Sequence, residues 1–409
     1  MGKLNIIGLG YIGLPTALMF ASNGIEVVGT DLNVDLVETL NKSKLTFEET
    51  GLEEVFKKAL NNRIKFSTEY ESTNRYIITV PTPYIKESKK IDVKYVVAAT
   101  KEVMKVCDKG TILVIESTIS PGTIDRFIRP IIEERGFVIG EDIHLVHAPE
   151  RIIPGNMIYE LENNSRTIGA DCKLIGEEVK SWYKSFCKSE IVVTDIKTAE
   201  MSKVVENTFR DINISFANEL AKICDREGIN VYELINISNK HPRVSILTPG
   251  PGVGGHCISV DPWFLVGDYP DIVNVILSSR EVNDQMPQYV FDKIRRIMKE
   301  NDIREYSKVG LYGMTYKENI DDIRESPTLQ LLDIFTKHNI NDIKVYDPFI
   351  KEKKFRKQTI NLDEFLSDIE LVVILVGHDE IKREENLLKN KIIYDTRNIL
   401  NYGKKIYKI

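Results

Sequence analysis

Short apolar runs alternate with helical patterns along the first half of the chain. Lys3–Ile7, Glu26–Thr30, Tyr76–Val80, Thr111–Ile115, Ile143–His147 and Ile191–Thr194 are nearly continuous in apolar residues. Runs of that length without polar alternation predict strands of a parallel sheet covered on both faces. Leu14–Ala21 reads as a helix, and Pro15 fits only its first turn, which fixes where it starts. The pattern changes from about Thr198 to Arg226. Met201, Val204, Val205, Phe209, Ile212, Phe216, Leu220 and Ile223 recur every three or four residues and predict one long amphipathic helix. Its apolar stripe needs a cover, and a second copy of the chain would supply one. Lys203, Asn207 and Asp211 form a polar line beside the stripe, which on its own reads as a solvated face. Residues from Ile272 to about Met298 read as mostly helix, interrupted at Pro287. A second α/β pattern follows: strands at Lys308–Tyr312, Ile343–Tyr346, Leu371–Val376 and Ile392–Tyr394, with a helix from Pro327 to His338. The fold class expected is α/β, with two Rossmann-like units flanking a long helix.

The first strand runs into Gly8-Leu-Gly-Tyr-Ile-Gly13, and the second ends at Asp31. Strand, glycine turn, helix, strand and acid form a dinucleotide fingerprint. The first glycine makes the turn, the second admits a pyrophosphate, and the third lets helix and strand pack closely. Gly10, Tyr11 and Ile12 then present the helix N-terminus to the anion. Asp31 is placed to accept hydrogen bonds from a ribose diol and to repel a 2′-phosphate, so the cofactor expected is NAD rather than NADP. The next strands end in Pro81-Thr82-Pro83 and Glu116-Ser117-Thr118. Ligands of open α/β sheets sit beyond strand carboxyl ends, so Thr82 and Thr118 are candidate cofactor contacts, with ordinary turn chemistry as the alternative. Glu150 and Arg151, just past a strand end, either face the same crevice or form a surface ion pair.

Pro249–Trp263 contains Cys257 behind Gly250, Gly252, Gly254 and Gly255, with Asp261 four residues on. A glycine loop lets a ligand reach the main chain, and bare N–H groups can hold an oxyanion. Cys257 is then a nucleophile; otherwise it is a small buried hydrophobe, as many cysteines are. The second α/β unit has no GxGxxG and reads as Rossmann-like without a second dinucleotide site. Lys317, Arg324 and Arg397 stand near strand ends or in loops, where phosphates or sugar hydroxyls would meet them.

Composition narrows the function. A formal charge of -6 provides no basic excess for nucleic acid. Five scattered cysteines, with no metal spacing, argue against a disulfide framework and against a metal site. No apolar run approaches the roughly 20 residues that span a bilayer. No signal peptide is evident, so a cytoplasmic setting is the expectation.

Taken together, Gly8–Gly13 with Asp31, Glu116–Thr118, Pro149-Glu150, Glu200–Glu219, Pro249–Asp261 and Lys317–Pro327 resemble the UDP-glucose/GDP-mannose dehydrogenase family. The resemblance runs through nearly the whole chain in the family's order. Ala148–Gly155 and Gly254–Phe264 look like the branch that acts on N-acetylated hexosamines. The UDP-glucose branch usually has serine where His256 stands and lysine where Val260 stands. The resemblance implies an NAD domain at 1–196, a central helical dimerisation domain at 197–300 and a UDP-sugar domain at 301–409. It implies oxidation of a sugar C6 alcohol to an aldehyde, capture of the aldehyde by Cys257, a second oxidation to a thioester, and hydrolysis. Lys203 would stabilise oxyanions, Asn207 would orient an oxygen or a water, and Asp261 would accept a proton. Glu150 is a second candidate for handling water. Arg151, His241, Gly254, Lys317 and Arg397 would contact the substrate, and Arg243 would reach it from a neighbouring subunit.

Overall fold

A computed structural model of the chain describes residues 2–62, 64–401 and 403–409. It divides into two compact units, Met1–Glu206 and Asn207–Ile409.

The first unit is built on an eight-stranded sheet of order β3-β2-β1-β4-β5-β6-β7-β8. The strands are β1 (Leu4–Ile7), β2 (Val27–Thr30), β3 (Ile64–Ser67), β4 (Arg75–Ile78), β5 (Thr111–Ile115), β6 (Ile143–His147), β7 (Arg166–Ala170) and β8 (Ile191–Thr194). All neighbours are parallel except β6 and β7. β1, β2 and β5 are buried along their whole length, as their largely apolar sequences require, with Asn5 paired to the Val28 carbonyl and the Thr30 hydroxyl. The order outward from β1 reverses between β1 and β4, which places a crevice beyond the strand ends at that switch point. Phe20, Trp182, Tyr183 and Phe186 fill the core on one side.

The long helix runs from Ile196 to Glu227. The polar line is not solvated, and the apolar stripe is split, with Val204 buried and Ile212 and Leu220 half-buried. Lys203, Asn207 and Asp211 are buried, whereas Met201, Val205, Phe209, Phe216 and Ile223 are exposed. The polar side chains can be inside because several are paired there: Asn207 with Asp261, Asp211 with Arg280, and Asn218 with Asn283. A buried polar group with a partner escapes most of its desolvation cost.

The second unit carries a six-stranded, all-parallel sheet of order β11-β10-β9-β12-β13-β14. These are β9 (Val309–Tyr312), β10 (Lys344–Tyr346), β11 (Gln358–Thr359), β12 (Leu371–Ile374), β13 (Ile392–Asp395) and β14 (Lys405–Lys408). Pro287 does mark a break: one helix ends at Asp284 and the next starts at Met286 with proline in its first turn. Among the described residues no helix is long and apolar enough to cross a membrane, and no His/Cys/Asp/Glu group could hold a metal ion.

Candidate functional site

The turn after β1 is shaped by what its glycines lack. Gly8 has φ +91°, and a Cβ there would lie 2.9 Å from the Thr79 carbonyl oxygen. A Cβ on Gly13 would lie 1.8 Å from the Gly8 carbonyl oxygen, so only glycine permits that approach. Gly10 faces open space, with nothing within 4 Å of a Cβ. The helix Gly13–Ser22 begins here, and no side chain caps its Ile12 end. First-turn N–H groups of a helix have no partner within it and carry the positive end of its dipole, which suits an anion. The half-buried Asp31 receives the Leu9 N–H at 2.8 Å on one oxygen and the Asn33 N–H at 2.9 Å on the other. These residues fit a dinucleotide: an open glycine at a helix N-terminus, and an oriented carboxylate at the end of β2. The turns after β4 and β5 meet, since the Thr82 hydroxyl donates to the Thr118 carbonyl at 2.6 Å.

Glu150 and Arg151 do not form the surface ion pair that was one reading of the sequence. Glu150 is buried, and its Oε1 receives the Arg151 N–H at 2.6 Å and the Ile152 N–H at 3.2 Å. Its Oε2 pairs with Arg166. The Arg151 guanidinium points elsewhere, to Glu206 at 2.6 Å, the Ser165 carbonyl at 2.8 Å and the Thr167 hydroxyl at 3.0 Å. Sequence reasoning missed Arg166. A lone arginine in the buried run Arg166–Ala170 was the available signal, because such a charge must find a counter-charge inside. Lys203 is 6% exposed, and no described residue forms an ion pair with it.

In the second unit Cys257 is exposed. Its carbonyl accepts the N–H of Val260 at 3.0 Å and of Asp261 at 2.8 Å, so it stands one turn ahead of the helix Asp261–Asp268. Asn207 donates to the buried Asp261 carboxylate at 2.6 Å. The loop is seated by its glycines. A Cβ on Gly254 would be 2.7 Å from the Glu325 carbonyl oxygen, and one on Gly255 would be 2.8 Å from the Tyr316 ring. The Gly255 N–H bonds the Arg324 carbonyl at 3.0 Å. Farther back, the Gly250 N–H donates to Asn218, which bonds Asn283, which bonds Asp211. Burial outweighs the neighbouring Arg280 and pushes the Asp211 carboxyl up to about 6. Burial and the Arg324 charge hold the His256 imidazole below its usual range.

Lys317 and Arg397 are half-buried, and His241 and Arg243 are exposed. A cavity of about 410 Å³ is lined by Tyr232, Asn236, Asn239, Ile246, Thr248 and Arg397. The backbone around Lys317 is held by a buried pair that sequence reasoning also missed. Asp347 receives the Met314 N–H at 2.6 Å and lies 3.1 Å from His378 Nε2, while His378 Nδ1 accepts the Asn319 N–H at 2.9 Å.

The glycine turn, the switch point and the oriented acid define a dinucleotide-binding protein. The particular family follows from comparison with known proteins. Models of the UDP-glucose/GDP-mannose dehydrogenase family match as the NAD binding domain over residues 2–187, the central domain over 197–285 and the UDP binding domain over 310–402. A UDP-N-acetyl-D-mannosamine dehydrogenase from Methanococcus vannielii is 43% identical, covering 98% of this chain and 94% of that protein. An NDP-N-acetyl-D-galactosaminuronic acid dehydrogenase from Ralstonia solanacearum is 38% identical, covering 96% and 95%. The solved UDP-N-acetyl-mannosamine dehydrogenase of S. aureus has a TM-score of 0.90 at 41% identity, covering 100% of this chain and 98% of that one. The chain belongs to the UDP-glucose/GDP-mannose dehydrogenase family, NAD-dependent enzymes that oxidise nucleotide sugars by four electrons. It has that family's arrangement of an N-terminal Rossmann-like domain, a central helical region and a C-terminal Rossmann-like UDP-binding domain.

Proposed function

We propose that this protein oxidises C6 of UDP-N-acetyl-D-mannosamine to UDP-N-acetyl-D-mannosaminuronate. NAD, when bound, would be held at Gly10, Tyr11, Ile12, Asp31, Thr82 and Thr118 and would accept one hydride in each oxidation, so two NAD are consumed per sugar. Cys257 adds to the C6 aldehyde as a thiolate, giving a thiohemiacetal. Loss of a hydride from that adduct leaves a thioester, and water then releases the carboxylate and restores the thiol. Asp261, oriented by Asn207, accepts protons. Lys203 stabilises the oxyanions, and Glu150 handles the attacking water. Arg151, His241, Gly254, Lys317 and Arg397 hold the sugar nucleotide.

The observation that carries this reading is the exposed Cys257, bonded through its carbonyl to Asp261, whose carboxylate is held by Asn207. The sugar is assigned from relatives above 40% identity that are named for UDP-N-acetyl-D-mannosamine. The Ralstonia relative favours a second reading, an N-acetylgalactosamine-type substrate. UDP-N-acetyl-D-glucosamine is the other alternative, and a non-catalytic protein that binds NAD and UDP-sugar is the alternative of a different class. The exposed stripe Met201, Val205, Phe209, Phe216 and Ile223 supports a homodimer, with Arg243 reaching the partner's substrate. The domain limits proposed are 1–196, 197–300 and 301–409.

A panel of UDP-glucose, GDP-mannose and the three N-acetylated UDP-hexosamines, followed by NADH absorbance, tests the substrate. Two NADH per sugar are expected, and one per sugar would remove the thioester. Cys257→Ala should abolish acid formation. Protection of Cys257 from iodoacetamide by a UDP-sugar, without turnover, would favour the non-catalytic reading.

A further inference from the structure

Behind the end of β5 two carboxylates share a single arginine. Arg166 pairs with Glu150 through one nitrogen and lies 3.3 Å from Glu116 through another. All three side chains are almost completely buried. The guanidinium stacks over the Tyr183 ring at 4.4 Å and near Phe186 at 5.5 Å. We propose that Glu116 holds a proton in this pocket, so that Arg166 is reserved for Glu150, and that Glu116 and Arg166 are thereby positioning residues for the carboxylate that handles water. The positioning role rests on the role given to Glu150 above; the placement of the proton does not.

Charge counting gives the first argument. Two carboxylates and one guanidinium, all ionised, would leave an uncompensated negative charge in a dry pocket. Like charges competing for one partner raise one of the two affinities for a proton. Hydrogen bonding then decides which oxygen holds it. Glu150 receives three donors: the backbone N–H groups of Arg151 and Ile152, and Arg166. Glu116 receives one long contact from Arg166, and its Oε2 is buried with no hydrogen-bond partner among the described residues. Donors favour the ionised form, so the anion belongs on Glu150 and the proton on Glu116. The Tyr183 hydroxyl is buried beside Glu116 and forms no well-aligned hydrogen bond among the described residues. As a neutral phenol it would favour an ionised Glu116, but burial outweighs that effect.

The other titratable groups around the pocket leave this count unchanged. His147, at the end of β6, is tied to the Ile115 carbonyl at 2.8 Å, and burial holds its imidazole down to about 4, so it is neutral. Burial also keeps the Tyr183 phenol protonated. Cys187 is near Arg166 and is buried. For Glu116 itself, burial dominates, Arg166 opposes it and Glu150 adds to it, and the carboxyl is pushed up to about 8.

Infrared difference spectra of the full-length enzyme, wild type minus Glu116→Gln, read the proton directly. The expected result is a protonated carboxylic acid band at pH 7 that disappears as the pH rises through about 8. A carboxylate band alone at pH 6 to 7 would overturn the assignment. This readout needs no turnover, so it stands even if the thioester chemistry fails. The positioning role is read by rapid-quench kinetics of Arg166→Lys, which keeps the charge and avoids the folding risk of Arg166→Met. The ratio of thioester hydrolysis to the first NADH-forming step should fall about tenfold to a hundredfold, with the sugar adduct accumulating on Cys257 in the mass spectrum. An unchanged ratio would overturn the positioning role. Absence of any adduct and a single NADH in the wild type would sink the thioester reading instead.

Discussion

Asn207→Asp exchanges an amide donor for a second carboxylate, at a point where the donor nitrogen is 2.6 Å from an Asp261 oxygen. Both side chains are buried, at 4% and 3% exposure, so water does not screen the pair. Two carboxylates roughly 3 Å apart repel by about 5.5 kcal/mol at an effective dielectric constant of about 20. Lys203 is one turn back on the same helix. At about 6 Å its ammonium would return about 2.8 kcal/mol on that scale. The balance, about 3 kcal/mol, corresponds to about 2 units of pKa. The new pair should therefore keep one shared proton up to about pH 6, since an ordinary carboxyl releases it near 4. Below that pH the introduced carboxyl, still protonated, can donate to Asp261 as the amide does. Above it the donor is lost. The assay is steady-state NADH formation from pH 5 to 9 for the wild type, Asn207→Asp and Asn207→Ala. The kcat/KM of Asn207→Asp relative to wild type should fall about tenfold per pH unit above about pH 6. Asn207→Ala should show a constant deficit of about 1.5–3 kcal/mol, the value of a hydrogen bond to a charged group. A pH-independent ratio for Asn207→Asp, or the same activity as alanine at low pH, would refute the assigned geometry.

His147 should make the protein acid-sensitive. The unfolded chain takes up this proton near 6.5, whereas burial delays uptake in the folded state to about 4. Its stabilising contribution is present above about 6.5 and is lost as the pH falls toward 4, by about 3 kcal/mol for a shift of that size. Thermal unfolding from pH 7 to 4 should show a shallower loss in His147→Asn, and parallel curves would contradict the reading. Asp31→Asn should raise the NADP-to-NAD ratio of kcat/KM by about tenfold, or about 1.4 kcal/mol, because the carboxylate no longer repels a 2′-phosphate. An unmoved ratio would detach Asp31 from the ribose. Gly13→Ala should lose NAD binding in calorimetry and destabilise the fold by about 1–3 kcal/mol, since its Cβ would meet a backbone oxygen at 1.8 Å. Retained NAD affinity would argue against the glycine turn as the pyrophosphate seat.

Most of both sheets was legible because their central strands are buried on both faces, whereas the edge strands β3, β11 and β14 left no apolar run to mark them. Thr111–Ile115, Ile143–His147 and Ile191–Thr194 are strands over the same residues that their apolar runs marked. Other strands shift by a residue or two, where hydrogen bonding ends before the apolar run does, as at Ile374. The long helix was legible in extent but not in orientation. A 3.6-residue period separates two faces without saying which one is inside. Here the polar line is buried by partners distant in sequence, such as Asp261 and Arg280, and no local pattern announces them. The family resemblance, not the periodicity, drew Lys203 and Asn207 into the site. Arg166 and His378 escaped for the same reason: each stands among polar neighbours at the end of an apolar run, and its counterpart is supplied by another strand end.

Gly254 and Gly255 leave no room for any side chain against Glu325, Tyr316 and Pro327. The two segments are thus matched like a key cut to a lock, one by vacancy and the other by bulk. A methyl group at Gly254 would need a backbone shift at Glu325, and one at Gly255 would need a smaller residue in place of Tyr316 and would still carry the strain of φ +87°. The cysteine loop is therefore closed to single side-chain gains at both glycines, and trimming Tyr316 should rescue Gly255→Ala only in part and Gly254→Ala not at all.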